Sequence, residues 1–287
     1  MTNPYIQPSR VHAALRALGV RPSRDMGQNF LVDSQALAAI VAAAELSPTD
    51  TVLEVGPGLG VLTWELLQQA GRVVSVELDR RLAERLAEEL AAEPHFTLIQ
   101  GDILRTPFSA LLGEAEAYKV VANLPYQITS AALRHFLEAP HKPETIVVLV
   151  QWEVAERICA GPGDYSVLAH SVQLYAQPEI VARVPASSFI PAPAVDSAIL
   201  RLHIHTSPRV DVAPEALMRL IKAGFLQARK KLGNALPTGL ASLGVQVHKE
   251  QALTALASAT IDSGRRAETL TLDEWVKLYR AFGFDTN

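Results

Sequence analysis

The pattern Glu54-Val-Gly56-Pro-Gly58-Leu-Gly60 closes a short apolar run and precedes a helical one. Glycines at alternate positions let a backbone turn sharply and approach a ligand where a Cβ would collide. The spacing is G-x-G-x-G with an acid two residues ahead of the first glycine, whereas a dinucleotide-binding turn is G-x-G-x-x-G. Pro57 also removes a backbone donor that a pyrophosphate would use. Two more acids follow at comparable places. Glu77 ends the next apolar run and suits a bidentate grip on ribose hydroxyls. Asp102, after the third run, can accept a hydrogen bond from an adenine amine. Taken singly, Glu77 or Asp102 is equally explained as a helix N-cap.

Together these residues resemble the S-adenosylmethionine site of class I methyltransferases, which holds a nucleoside and a methionine tail and needs no phosphate cradle. One run later comes Asn123-Leu-Pro-Tyr126. An exocyclic base amine is a poor nucleophile because its lone pair is delocalised into the ring. An amide oxygen and a backbone carbonyl that accept its hydrogens favour a pyramidal nitrogen, and an aromatic ring holds the base flat by stacking. Asn123, the Leu124 carbonyl and Tyr126 supply those parts, so orientation and charge placement carry the reaction without a strong base. Phe189, in Ser188-Phe-Ile-Pro-Ala-Pro193, is a candidate for the other face of the base. An isolated Asn-x-Pro-Tyr is ordinarily a proline-fixed strand end, and Phe189 alone is more simply a buried loop anchor.

The elements that must position these groups are short runs rich in β-branched residues: Val52–Val55, Val73–Val76, Phe96–Ile99, Val120–Ala122 and Ile146–Val150. Helical periodicity such as Leu82, Leu86 and Leu90 separates them. Alternation of this kind predicts βαβ units and a doubly wound, mostly parallel sheet, in which acids at successive strand ends converge on one crevice. Gln173–Tyr175, Ile180–Val184 and Ala198–His205 are expected as more tightly joined strands at an antiparallel edge. Thr206–Pro214 reads as a proline-bounded linker. Beyond it the pattern is helical, with a stripe of Leu217, Ile221, Phe225, Ala228 and Leu232 and a last amphipathic helix over Asp273–Phe282. The expectation is an α/β domain over 1–205 and a small all-helical domain over 206–287.

Hydrophobic residues at 49% and charged residues at 20% of 287 exclude disordered and fibrous classes. No apolar run approaches the roughly 20 residues of a membrane helix, and Pro4, Pro8, Arg10 and His12 interrupt any leader-like core, so a cytoplasmic address is expected. Cys159 is the only cysteine, which excludes an intramolecular disulfide and a multi-cysteine metal centre. His203 and His205 lack further ligands, so no metal is expected, and no nucleophile elbow supports hydrolase chemistry. Net charge is −4, yet residues 51–200 hold 18 acids against 10 bases while 201–287 hold 12 bases against 8 acids. Arg10, Arg16, Arg21 and Arg24 face one acid, Asp25, before residue 31. Such asymmetry fits a polyanion partner or a solvated helix face.

With these motifs in order, the sequence resembles the small-subunit (16S) ribosomal RNA adenine N6,N6-dimethyltransferase family (KsgA/RsmA). Gly27-Gln-Asn-Phe-Leu31, Glu54–Thr63, Glu77-Leu-Asp79, Gly101-Asp102 and Asn123–Tyr126 carry the resemblance, as do Gln151–Ile158, Phe189–Ser197, Arg229–Asn234 and Arg266–Leu270. It implies two methyl transfers from S-adenosylmethionine to each of two adjacent adenosines in the 3′-terminal hairpin loop of 16S rRNA. It further implies that Gln28, Asn29, Leu31, Gly56, Gly58, Glu77, Asp102 and Asn123 hold the cofactor, while Asn123, Leu124, Tyr126 and Phe189 address the base. Without the resemblance, Gln28–Leu31 is a loop before a helix capped by Asp33 or Ser34.

The chain departs from the family pattern at Gly163–Val167, which is shorter, and at Trp152, where lysine is frequent. The implied partner is 16S rRNA in the small subunit or its precursor, bound by a monomer. Three rivals are a large-subunit rRNA dimethyltransferase of the antibiotic-resistance type, a ribosome-assembly factor in which binding outweighs chemistry, and a DNA adenine methyltransferase. Phe189–Ser197 and the C-terminal extension favour the small-subunit reading.

Overall fold

In the computed structural model, which describes residues 3–19, 28–113 and 115–284, the β-branched runs form the expected strands. Arg21, Arg24, Asp25 and Gly27 lie outside the described residues. The strands are β1 (Phe30–Leu31), β2 (Thr51–Val55), β3 (Arg72–Glu77), β4 (Phe96–Gln100), β5 (Lys119–Asn123), β6 (Thr145–Gln151), β7 (Ala176–Val184), β8 (Phe189–Ile190) and β9 (Ser197–Ile204). Seven of them make one sheet in the order β4-β3-β2-β5-β6-β9-β7. Strands β4 to β6 in that order pair in parallel, and β9 runs antiparallel to β6. The strands on either side of β2 are reached by opposite crossovers, so a crevice opens at the carboxyl ends of β2 and β5, where an α/β sheet binds its ligand.

Central strands read as continuous apolar runs because both faces are covered. Val52, Val73, Val121, Val147, Leu149 and Ile199 pack beneath Leu37, Ile40 and Val41 of the helix Ser34–Ala44. That helix starts where the Asp33 carboxylate accepts from the N–H groups of Gln35 and Ala36 at 2.9 and 3.1 Å. Of the two expected caps, Asp33 is the one used. Its other oxygen accepts from Ser188 Oγ at 2.7 Å, beside the two-stranded pairing of β1 with β8. The local role of the Gln28–Leu31 segment is therefore to tie the entry of the chain to the Phe189–Ser197 motif.

The chain divides into two compact units, Met1–Ala155 with Gln177–Ile204, and Glu156–Ala176 with His205–Asn287. Residues 156–176, expected in the first domain, thus belong to the second unit. The helix Val167–Gln173 supplies His170, whose ring meets those of Phe225 and Trp275 edge-on at 5.9 and 6.3 Å. The N–H groups of Gly163 and Tyr165 donate to the Glu268 carbonyl in the same unit. Gln173–Tyr175 is not the strand expected from its apolar residues. It finishes this helix, which Ser166 caps, and β7 begins only at Ala176. The apolar stripe from Leu217 to Leu232 is likewise divided, because Pro214–Phe225 ends before Ala228 and a new helix, Leu232–Ser242, begins at Leu232. The last helix, Leu272–Ala281, opens with a reciprocal cap between Thr271 and Glu274.

Candidate functional site

Gly56, Gly58 and Gly60 all take positive φ, at 65, 59 and 85°. At Gly60 the positive φ favours glycine, and an added Cβ would lie 2.6 Å from Leu86 Cδ1 and oblige that side chain to shift. Between the first two glycines and the next strand end lies a direct tie: Gly58 N–H donates to Glu77 Oε2 at 3.0 Å, and Asp79 N–H donates to Oε1 at 2.9 Å. The glycine turn and the acid predicted to face it are held as one rigid piece.

This piece forms one wall of a cavity of about 280 Å³ at the carboxyl edge of the sheet. Gln28, Asn29, Leu31, Gly56, Gly58, Glu77, Asp102 and Asn123 all line it. Five sequence motifs spread over nearly a hundred residues are brought together there. Asp102 Oδ1 accepts from Leu104 N–H at 3.0 Å, and its Oδ2 lies 3.6 Å from Arg105 Nε. The next helix begins only at Phe108, so Asp102 is not a helix N-cap; one oxygen serves a local turn and the residue borders the cavity. Leu78, Leu82 and Ile103 add apolar wall.

Glu54 also lines the cavity and had no assigned role. It is 1% exposed, and its Oε2 accepts from both Thr63 Oγ1 and Ser75 Oγ at 2.7 Å. Burial pushes its carboxyl up to about 7 despite those two donors. Glu77, 6% exposed, is raised by the same cause. Among the described residues no lysine or arginine forms an ion pair with either acid. Two desolvated carboxylates without a protein cation suit a ligand that brings positive charge, as a sulfonium with an α-ammonium group does. The acid two residues before the first glycine was the signal that could have singled out Glu54.

A second, wider cavity of about 510 Å³ shares Gln28, Asn29 and Gln127 with the first. Its walls add Tyr126, Gln151 and Pro191 to Ala194. Asn123 Nδ2 donates to the main-chain oxygen of Asn29 at 3.0 Å. A carbonyl can only accept, so this bond assigns the amide orientation and leaves Oδ1 as the free acceptor. Tyr126 Oη and Ser197 Oγ are 2.7 Å apart, and burial raises the phenol above its ordinary value. Ser197 thereby explains the end of the Phe189–Ser197 motif.

One expectation, the stacking role of Phe189, is not met by this structure. Phe189 is 2% exposed, packs in the core with Leu31 and Leu37, and lines neither cavity. In this structure it presents no ring face for stacking, because the β1–β8 pairing turns it inward. Leu124 is buried and also lines neither cavity, so only its main-chain carbonyl is a candidate participant. His203 Nε2 lies 3.9 Å from Glu179, and among the described residues no group of three or more histidine, cysteine or acid side chains converges as metal ligands.

A doubly wound sheet with this glycine turn and strand-end acids around one crevice defines a class I methyltransferase, the class whose methyl donor is S-adenosylmethionine. The family described as ribosomal RNA adenine dimethylase matches residues 21–282. A protein of Dehalococcoides mccartyi named ribosomal RNA small subunit methyltransferase A is 48% identical over 260 residues, covering 90% of this chain and 88% of that one. Its namesake in Moorella thermoacetica is 43% identical over 284 residues, covering 95% and 96%. Among solved structures, a dimethyladenosine transferase from Plasmodium falciparum gives a TM-score of 0.76 at 27% identity, over 89% of this chain and 98% of that one. The 23S rRNA methyltransferase ErmE gives 0.69 at 31% identity, over 89% and 100%. The chain belongs to the ribosomal RNA adenine dimethylase family.

Proposed function

We propose that this enzyme transfers methyl groups from S-adenosylmethionine to N6 of two adjacent adenosines in the 3′-terminal hairpin loop of 16S rRNA, giving N6,N6-dimethyladenosines during small-subunit biogenesis. The observation that carries the reading is the Asn29–Asn123 hydrogen bond, because it orients the Asn123 amide on the wall of the first cavity while its partner Asn29 also lines the second. The small-subunit substrate is supported by the names of relatives at 48% and 43% identity.

In this reading Glu77 would hold the ribose, Asp102 the adenine and the Gly56–Gly58 turn the methionine part of the cofactor, with Gln28, Asn29 and Leu31 flanking it. When bound, S-adenosylmethionine supplies an electrophilic methyl on a sulfonium. The amine hydrogens of the target adenine are accepted by Asn123 Oδ1 and the Leu124 carbonyl, which draws the nitrogen lone pair out of the ring. Tyr126 stacks on the base, its ring held by the Ser197 contact. Orientation of the amine and complementary dipoles then account for the acceleration.

The second unit is assigned to RNA or ribosome binding. Leu232 N–H donates to the Arg265 carbonyl at 2.8 Å, so the backbone segments that carry exposed Arg229, Lys230 and Lys231 and exposed Arg266 meet. Binding through a few phosphate contacts would fall with salt in proportion to their number. The partner in this reading is 16S rRNA in the small subunit or its precursor. The working form is a monomer in the cytoplasm; no helix of the described residues is long and apolar enough to cross a membrane.

The test offers labelled S-adenosylmethionine and purified enzyme to unmethylated small subunits, to large subunits and to duplex DNA, with mass spectrometry to locate the product. Dimethyladenosine confined to the small-subunit 3′ hairpin is expected. Label in the large subunit would move the chain to large-subunit rRNA methylation, the substrate named for its 23S rRNA methyltransferase neighbour. Retained small-subunit binding without label would leave an assembly factor.

A further inference from the structure

We infer that Gln151 is a specificity residue of the same site, donating a hydrogen bond from its carboxamide to a ring nitrogen that flanks the target amine of adenine. The inference rests on the proposed adenine substrate.

Strand register places the residue. In the parallel β5–β6 pair Asn123 lies opposite Leu149, and in the antiparallel β6–β9 pair Gln151 lies opposite Ser197. Paired residues project to the same face of a sheet, and residues two apart along one strand share a face. Asn123, Gln151 and Ser197 therefore stand on one face at the carboxyl edge, and Ser197 is the residue that holds the Tyr126 hydroxyl. The amine-directing amide, the base-stacking phenol and the Gln151 carboxamide are three groups on one platform.

Gln151 is half-buried on the wall of the wider cavity, beside Tyr126. Its backbone is fixed by the strand, and among the described residues its side chain engages no hydrogen-bond partner. A strand-end glutamine whose amide is spent on no protein group is available to a ligand that enters the cavity. Here the side chain lines the cavity that a planar base would enter. Adenine presents an acceptor nitrogen on each side of its amine, N1 and N7, and the amine hydrogens are already assigned to Asn123 and Leu124. The group still required is a donor, which the Gln151 NH2 supplies. A site built to pair a polar edge rejects an analogue that lacks it, because its own amide is left desolvated and unpaired.

The experiment uses full-length enzyme and reconstituted small subunits carrying adenosine, 1-deaza-adenosine or 7-deaza-adenosine at the target position. Wild type is expected to lose about 10- to 100-fold in kcat/KM on one of the two deaza bases, the scale of one desolvated hydrogen bond. Q151A is expected to lose a similar factor on adenosine and to be indifferent to that same deaza change. Q151E, which keeps the size but reverses the hydrogen-bonding sense, is expected to match Q151A. Calorimetric binding of S-adenosylhomocysteine by each variant, at wild-type affinity, checks that the fold and the first cavity are intact. Wild-type turnover by Q151A on adenosine, or equal sensitivity of both enzymes to both deaza bases, would overturn the inference. Failure of wild type to methylate the adenosine-containing subunits would instead overturn the proposed substrate, and the assignment of Gln151 to adenine with it.

Discussion

Asn123 Nδ2 and the main-chain oxygen of Asn29 meet at 3.0 Å across 94 residues of sequence, joining the end of β5 to the segment ahead of β1. The contact makes the amide of Asn123 directional, and direction is what an amine-activating acceptor needs. Asn123→Ala should lower kcat by about 100-fold or more, since removal of one oriented dipole costs on that scale, and should weaken cofactor binding by a smaller factor because Asn123 also lines the first cavity. Asn123→Asp should be no better, because a carboxylate has nothing to donate to the Asn29 carbonyl. Single-turnover methyl transfer alongside cofactor calorimetry would separate the two effects.

Tyr126 and Ser197 form a hydroxyl pair that orients an aromatic ring. Tyr126→Phe keeps the ring and Tyr126→Ala removes it. The expected losses in kcat/KM are under about 10-fold for the first and about 100-fold for the second, given the worth of base stacking. Ser197→Ala should resemble Tyr126→Phe, and the double variant should cost little more than either single change. Additive losses in that cycle would show that the hydroxyl contact does not position the ring.

Glu54 provides a pH signature. Its folded value is about 7 against an ordinary 4.5, so between those limits the native protein binds more protons than the unfolded chain. Stability from this group is therefore full below about 4.5 and is lost as pH rises towards 7. Glu54→Gln should remove that loss, stabilising the ligand-free protein by about 1 to 3 kcal/mol at pH 8 relative to pH 5. The same variant should bind the cationic cofactor less well. Denaturant titrations of both proteins at the two pH values would check the first claim, and calorimetry the second.

His170 gives the opposite slope in the other unit. It is fully buried, neither ring nitrogen finds a partner among the described residues, and desolvation lowers it to about 4 from 6.5. The native state binds fewer protons than the unfolded one between those values, so stability falls as pH drops from about 6.5 to 4. His170→Phe, which keeps an aromatic ring among Tyr165, Phe225 and Trp275, should flatten that acid limb by about 1 to 3 kcal/mol. Unchanged acid sensitivity in the variant would place the titrating group elsewhere.

What the sequence by itself determined was the set of strand ends and the residues on them. Runs such as Val52–Val55 and Ile146–Val150 declare buried parallel strands by composition, and a doubly wound topology then carries Gly56, Glu77, Asp102 and Asn123 to one crevice without further information. Tertiary structure alone decided everything that depended on which surface covers an apolar residue. Phe189 looks the same in sequence whether it faces a ligand or a core, and only its pairing opposite Leu31 turns it inward. Gln173–Tyr175 is apolar enough for a strand, yet its neighbours in the second unit take it as the end of a helix. Gln151 acquires meaning from Ser197, 46 positions away, through β6–β9 register. Local patterns encode backbone conformation and the chemistry at its ends, whereas burial and hydrogen-bond partners are set by segments distant in the chain, and no window of sequence contains both sides of such a contact.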